Sequence, residues 1–164
     1  MVERTFVMLK PDAVQRQLAG RIIQRFEDAG FKIIGMKMKW VDEGFARKHY
    51  TEDIAKRRGE WVRDSLIEYV KAGPVIAFVL EGINVIEGVR KIVGSTEPKG
   101  AAPGTIRGDF AHVSYAYADE KKIPVKNLIH ASGNSKDAEY EVALWFAKDE
   151  LHTYKSVHDV HILE

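Results

Sequence analysis

The chain has 164 residues, the usual length of one globular domain, and 45% of them are hydrophobic. Its 25 basic and 24 acidic residues leave a formal net charge of +1, which excludes a broad nucleic-acid-binding surface and a long disordered tail. Cysteine is absent, so a disulfide framework, a thiolate metal site and a cysteine nucleophile are excluded as well.

The sequence predicts neither a signal peptide nor a membrane-spanning segment. The first residues lack the apolar core of a signal peptide, and the longest strongly apolar run, residues 75–80, is too short to cross a bilayer. We therefore expect a soluble, cytoplasmic protein, and we expect residues 1–164 to form a single domain.

The beginning of the chain predicts a strand followed by a helix. Residues 5–9 form an apolar run that Pro11 closes, because proline cannot donate a hydrogen bond to a sheet. The next segment repeats apolar residues at helical spacing and ends at Gly30. The apolar face of this helix consists of Leu18, Ile22, Ile23 and Phe26.

Residues 31–40 return to a period of two. Met36, Met38 and Trp40 alternate with two lysines, and this pattern predicts a half-buried strand. Asp42 then has the side chain to cap a short helix that reaches residue 50. Residues 56–60 are mostly charged and predict a solvated connector, and residues 61–70 have the spacing of a further helix.

The third strand is expected at residues 75–80, where continuous apolar character indicates a central position in a sheet. Glu81 and Gly82 are expected to turn the chain into a helix that ends at Gly94. Residues 95–104 are rich in glycine and proline and predict a loop.

The last part of the chain contains the fourth expected strand, residues 128–131. The segment before it, residues 111–126, predicts a hairpin or another excursion, and Asn134 or Ser135 caps the helix after it. The apolar face of that helix consists of Ala138, Val142, Trp145 and Phe146. The element order βαββαβ predicts an α+β, ferredoxin-like sandwich in which helices cover one face of a four-stranded antiparallel sheet, with additional helices between the core elements.

Phosphate chemistry is suggested by a histidine at a strand end together with well-placed cations. His130 lies in the expected fourth strand, and Lys10 directly follows the first. Neither of the glycine-rich phosphate-binding motifs, Gly-x-x-x-x-Gly-Lys-Ser/Thr and Gly-x-Gly-x-x-Gly, occurs in the sequence. A polyphosphate would therefore have to be held by side chains. The candidates for this cradle are Lys10, Arg90, Thr96 and Arg107.

Three segments of the chain resemble the nucleoside diphosphate kinases, in the order in which that family has them. They are residues 4–16, RTFVMLKPDAVQR, residues 103–110, PGTIRGDF, and residues 127–132, NLIHAS. The resemblance covers nearly the whole chain. It implies a ferredoxin-like core, a hexamer or tetramer, and ping-pong transfer of a γ-phosphoryl group between nucleotides through a phosphohistidine. It also implies Mg²⁺ bound mainly through the nucleotide phosphates, with no protein metal site.

The resemblance also implies roles for individual residues. His130 matches the nucleophile, acting through Nδ1, and Glu141 and Ser132 match the residues that orient its ring. Tyr50 matches the pocket tyrosine near the nucleophile. The positions that match the family's nucleotide contacts are Lys10, Leu66, Arg90, Thr96, Arg107 and Asn127.

The chain departs from the family pattern at three places. The family's aromatic residues that meet the base are replaced by Glu60, Trp61 and Val62. Either Trp61 or Val62 could stack on the base, and Trp61 is favoured because its ring offers the larger face. Residues 111–126 form a longer segment than usual, and Gly133 stands where an aspartate is common.

The remaining histidines carry no such pattern. His158 and His161 have the spacing of a metal pair but no third ligand, and a solvated tail is the preferred interpretation. His49, His112 and His152 are interpreted as surface or packing residues.

The sequence also argues against two alternatives to an active kinase. A non-catalytic nucleotide-binding or regulatory member of the same fold would lack the nucleophile or a cradle cation, and the chain retains all of them. A ferredoxin-like nucleic-acid-binding domain is disfavoured by the near-neutral charge and the absence of an aromatic ribonucleoprotein motif.

Overall fold

The computed structural model describes residues 2–162 and contains one four-stranded antiparallel sheet, which confirms the ferredoxin-like α+β prediction. The strand order is β2-β3-β1-β4. The strands are β1 (Val2–Leu9), β2 (Lys32–Lys39), β3 (Val75–Ile83) and β4 (Ile129–Ala131). All neighbouring pairs run antiparallel, so β1 and β3 form the centre and β2 and β4 the edges.

Helices occupy most of the connections between strands. In chain order they are α1 (Pro11–Gln15), α2 (Ala19–Asp28), α3 (Glu43–His49), α4 (Glu52–Arg58), α5 (Glu60–Lys71), α6 (Val85–Val93), α7 (Ile106–Phe110), α8 (Tyr115–Lys121), α9 (Ser135–Trp145) and α10 (Val157–Ile162). Short 3₁₀ turns lie at Pro98–Gly100 and Lys148–Glu150. No helix in residues 2–162 combines the length and the apolar character needed to span a bilayer.

Helices cover both faces of the sheet, whereas the sequence predicted one covered face. Val7 and Leu9 of β1 belong to a core with Phe26 of α2, and Phe6 and Met8 belong to a second core on the opposite face. The second core includes Ile67 of α5 and Trp145 of α9. The prediction of one covered face was wrong. It overlooked the continuous apolar run of β1, which is typical of a strand buried on both faces.

The second half of the edge strand β2 and the residue after it expose apolar side chains, whereas Ile34 in the first half is buried. Met36, Met38 and Trp40 are 45%, 62% and 68% exposed. The lysines between them turn towards the second core, where Lys39 Nζ lies 3.4 Å from the centre of the Phe45 ring. Alternation along a strand defines two faces but not which of them is covered, and a long lysine stem can pack over apolar surface.

Two connections differ from the prediction. Residues 56–58 are the last turn of α4, and the connector to α5 is the single residue Gly59, whose φ is +98°. Glu81 and Gly82 remain in β3, and the chain turns at Asn84, which has a φ of +49°. The sequence overestimated both connectors because charged residues and glycine occur in regular elements as well as in loops.

The longer segment, residues 111–126, contains the helix α8 and no hairpin. The Ser114 hydroxyl accepts a hydrogen bond from the Tyr117 amide at 3.2 Å and so begins this helix. The helix ends at Lys122, which has a φ of +52°. The predicted excursion between α7 and β4 is therefore built around a short helix.

The predicted helix boundaries elsewhere are confirmed. Asp42 accepts a hydrogen bond from Phe45 N at the start of α3, and Asn134, the first of the two candidates, accepts one from Asp137 N at the start of α9. Gly30 and Gly94 follow α2 and α6 with φ values of +80° and +86°.

Candidate active site

Strand pairing brings the first and third sequence motifs together. β4 runs antiparallel beside β1, and His130 lies opposite Met8. Lys10 follows the end of β1, and its amide donates to the carbonyl of Leu128 at 2.8 Å. Two segments about 120 residues apart in sequence therefore form one edge of the site.

A cleft of about 620 Å³ opens at this edge. Its walls include all but one of the predicted site residues. Those that line it are Lys10, Tyr50, Trp61, Leu66, Arg90, Thr96, Arg107, Asn127, His130 and Glu141. Ser132 is the exception, because its side chain is fully buried behind Glu141.

The imidazole of His130 is held by a chain of hydrogen bonds. Its Nε2 lies 2.9 Å from Oε1 of Glu141, and the Ser132 hydroxyl donates to Oε2 of the same carboxyl at 2.6 Å. Burial alone would raise the pKa of Glu141, but His130 and Ser132 together bring that pKa below its usual value. Because an ionised carboxylate only accepts hydrogen bonds, Nε2 carries the proton and Nδ1 has a free lone pair.

Lys10 is a buried cation at the floor of the cleft. Its Nζ donates to Oδ1 of Asn127 at 2.8 Å. Burial and the nearby Arg107 lower the pKa of Lys10 to about 7, against the opposing effect of Asp12. A polyphosphate in the cleft would favour the charged form and raise that pKa again.

Hydrogen bonds from Arg107 connect the loop after α6 to β4 and to the residues before it. Its guanidinium donates to the carbonyls of Gly94 and Asn127 at 3.2 Å each and to that of Ile129 at 2.5 Å. Burial lowers the pKa of Arg107 to about 10. A guanidinium has five N–H donors, so these bonds leave donors for a phosphate.

The rim of the cleft carries the other predicted phosphate contacts. Arg90 is exposed in the last turn of α6, and Thr96 is exposed in the loop after it. The Thr96 carbonyl accepts a hydrogen bond from Nδ2 of Asn127 at 2.8 Å, which joins the rim to the floor.

Residues of α5 and of the longer segment also line the cleft. They are Trp61, Val62 and Leu66 of α5 and residues 123–125. Tyr115 also lines the cleft, and its ring centre lies 5.9 Å from the guanidinium of Arg58. Trp61 and Val62 both reach the cleft, so both remain candidates for the base contact.

His49 and Tyr50 are neighbours at the end of α3, and both line the cleft. Burial, with Glu141 and Asp12 nearby, raises the pKa of Tyr50, so its hydroxyl keeps its proton. His49, which the sequence suggested was a surface or packing residue, is buried, lines the cleft, and lies with its ring centre 4.7 Å from that of His130. The signal that it faces inward was its helical spacing from Ala46 in α3, since both are buried.

The protonation of His49 follows from its partner. Nε1 of Trp145, which can only donate, lies 3.1 Å from Nδ1 of His49, so the proton of this ring is on Nε2. Burial lowers the pKa of His49 to about 3, and the neighbouring His130 contributes in the same direction.

Among the described residues, one group of three could in principle hold a metal ion, namely His49, His130 and Glu141, whose ligand atoms lie within 4.8 Å of one another. Both oxygens of Glu141 already accept hydrogen bonds, from His130 Nε2 and from the Ser132 hydroxyl, so a metal bound to this carboxylate would have to displace or share one of them. His158 and His161 are exposed on α10 and belong to no such group within residues 2–162.

Known proteins are similar to this chain over nearly its whole length. The family model described as nucleoside diphosphate kinase matches residues 3–151. The nucleoside diphosphate kinase of Borreliella burgdorferi is 47% identical over 156 residues, which cover 94% of this chain and 93% of that protein. The chain belongs to the nucleoside diphosphate kinase family. The nucleoside diphosphate kinase of Pyrococcus horikoshii is 48% identical over 158 residues, or 96% of this chain and 93% of that protein.

A solved structure agrees with the sequence comparison. The transition-state mimic of the nucleoside-diphosphate kinase from Borrelia burgdorferi, with bound vanadate and ADP, superposes with a TM-score of 0.95 at 45% identity and covers 98% of this chain and 96% of that chain. The protein is thus a phosphotransferase with nucleoside diphosphate kinase activity, and its substrates are nucleotides.

Proposed function

We propose that His130 is the phospho-acceptor of a ping-pong reaction. The observation that carries this proposal is the hydrogen bond from Nε2 to Glu141, because it leaves the Nδ1 lone pair free beside the cations of the cleft. A neutral imidazole is a competent nucleophile near pH 7.

The first half-reaction forms a bond between Nδ1 and the γ-phosphorus of a nucleoside triphosphate. The bond to the β,γ-bridging oxygen breaks, and the nucleoside diphosphate leaves with that electron pair. Phosphorylation at Nδ1 while Nε2 keeps its proton makes the ring cationic. Glu141 lies 2.9 Å away and offsets this charge.

The second half-reaction reverses these steps with another nucleotide. A β-phosphate oxygen of a nucleoside diphosphate attacks the phosphorus, and the N–P bond breaks with its electron pair returning to Nδ1. We assign Lys10, Arg90, Thr96 and Arg107 to the phosphates, because all four line the cleft that contains His130. Asn127 is assigned to the sugar, and Trp61 or Val62, with Leu66, to the base.

Mg²⁺ fits this site as a companion of the nucleotide. The cleft offers lysine and arginine side chains to a polyphosphate. Of the carboxylates that line it, Asp119 and Asp137 are exposed, and Glu141 is engaged with His130 and Ser132. When bound with the nucleotide, Mg²⁺ would offset the charge of the phosphates. The protein side chains then orient the phosphates towards Nδ1.

We also propose a homo-oligomer, a hexamer or a tetramer, formed by this single-domain chain in the cytoplasm. The exposed apolar residues Met36 and Met38 on the edge strand, and Trp40 directly after it, support association. Multi-angle light scattering on the wild type and on Met38→Glu tests this surface: a monomeric wild type would contradict the proposal.

The phospho-acceptor is tested with γ-labelled ATP. The wild type should give an acid-labile, base-stable phosphoprotein that yields GTP when GDP is added. His130→Ala should abolish both label and transfer while nucleotide binding remains, and His152→Ala, at an exposed histidine, should change neither. Transfer by His130→Ala would show that another residue accepts the phosphoryl group. Binding without transfer by the wild type would favour the non-catalytic alternative.

A further inference from the structure

Leu128, between Asn127 and His130, has an unusual backbone conformation. Its φ is +71°, a region that residues with a Cβ rarely occupy. The Ile129 amide donates to the Asn127 carbonyl at 2.8 Å, which closes a three-residue turn centred on Leu128. Turns of this kind with a positive φ are rare and strained.

The turn changes the faces on which two site residues lie. In a regular strand, residues three apart point to opposite faces. Asn127 and His130 are three apart, and yet both line the same cleft. The turn at Leu128 therefore allows one short segment to supply both the proposed sugar contact and the proposed nucleophile.

Neighbouring groups hold the turn from several sides. The Leu128 amide donates to Oδ2 of Asp12 at 3.1 Å, and the Leu128 carbonyl accepts from the Lys10 amide at 2.8 Å. The guanidinium of Arg107 binds the carbonyls of Asn127 and Ile129, on either side of Leu128. The Asp12 carboxyl is the one side-chain group in this set that bonds the strained residue itself.

Asp12 is buried and makes this bond from the first turn of α1, two residues after Lys10. Without its acceptor, the amide of Leu128 would be buried and unpaired in a conformation that already costs free energy. We propose that Asp12 is a positioning residue that holds the strained Leu128 turn, and through it keeps Asn127 and His130 in one cleft. This inference rests on the proposed role of His130.

Asp12 could act instead through its charge on Lys10, and the two roles predict different behaviour. An amide oxygen can still accept the Leu128 hydrogen bond but carries no charge. Asp12→Asn should therefore preserve a positioning role and abolish a charge effect. Asp12→Ala removes both.

The first experiment measures kcat, KM and single-turnover phosphorylation for wild type, Asp12→Asn and Asp12→Ala. We expect Asp12→Ala to lose about 5- to 150-fold in kcat, the range for an unpaired buried donor, and Asp12→Asn to stay within about threefold of wild type. Equal losses in both variants, with a pH–rate profile displaced to lower pH, would overturn positioning in favour of the charge on Lys10. An unchanged Asp12→Ala would overturn any role of Asp12.

The second experiment relieves the strain itself. Leu128→Gly and Leu128→Ala both remove the buried side chain, but only glycine adopts a positive φ without penalty. The loss caused by Asp12→Ala should be about 5- to 30-fold smaller in the Leu128→Gly background than in the Leu128→Ala background. Equal losses would contradict the coupling between Asp12 and the turn.

Two controls keep the outcomes separate. Circular dichroism and thermal unfolding show whether each variant is folded; if the Leu128 variants are not, the comparison of Asp12→Asn with Asp12→Ala decides alone. A wild type that forms no phosphohistidine refutes the proposed function, whereas an active wild type with an unaffected Asp12→Ala refutes only this inference.

Discussion

The hydrogen bond between Glu141 and His130 gives the sharpest prediction about the chemistry. We consider Glu141→Gln, which keeps the shape and an acceptor oxygen but removes the negative charge. The carboxyl is buried, and its two oxygens lie 2.9 Å from His130 Nε2 and 2.6 Å from the Ser132 hydroxyl. The charge of this carboxylate matters most while the ring of His130 is phosphorylated and cationic.

The magnitude follows from this geometry. A hydrogen bond to a charged group contributes about 1.5–3 kcal/mol, which corresponds to about 10- to 150-fold in rate. We expect Glu141→Gln to slow single-turnover phosphorylation by a factor in this range. KM should change by less than about threefold, because both oxygens of Glu141 are already engaged within the protein.

The assay is rapid-quench phosphorylation with γ-labelled ATP, read together with steady-state kinetics. Glu139→Gln is the matched control, since Glu139 is exposed on the same helix and should have no effect. A phosphorylation rate in Glu141→Gln equal to that of wild type would refute the reasoning that this charge stabilises the phosphorylated ring. A large rise in KM alone would show that Glu141 serves nucleotide binding instead.

Three further predictions concern neighbouring groups. ADP affinity, measured calorimetrically, should fall as pH rises through the Lys10 pKa of about 7, because phosphate binds the protonated amine. Lys10→Gln should flatten this pH dependence. A flat wild-type profile between pH 7 and 8.5 would contradict the prediction. His49→Phe should lower the free energy of unfolding by about 1–3 kcal/mol, since the Trp145 N–H loses its acceptor, and an unchanged denaturant midpoint would speak against this. Trp61→Ala should raise KM about 5- to 100-fold through lost base stacking, with Val62→Ala as the comparison; the reverse order would assign the base to Val62.

The local elements were predictable wherever a side chain acts on its own backbone. Asp42 and Asn134 cap helices through hydrogen bonds to residues three positions away, and Gly30 ends a helix because it accepts a positive φ. Such signals lie within a few residues of the structure that they specify. The sequence therefore indicated them directly.

The sequence does not show which distant segments pack against a given residue. The alternation in β2 is the same whichever face is covered, so the exposure of Met38 depends on where distant helices pack. His49 appeared ordinary because its partners, Trp145 and His130, are about 80 to 95 residues away in sequence. The strain at Leu128 was equally hidden, because leucine gives no local sign of a positive φ.

Arg107 has a consequence for how the site can be dissected. One guanidinium joins the loop at Gly94 to the carbonyls of Asn127 and Ile129, and it also lines the cleft, where we assign it to the phosphates. Truncating it would weaken substrate binding and loosen the segment that carries His130 at the same time. The measured effect of such a variant would therefore exceed the value of the phosphate contact, and it would not add to the effects of other variants in this segment.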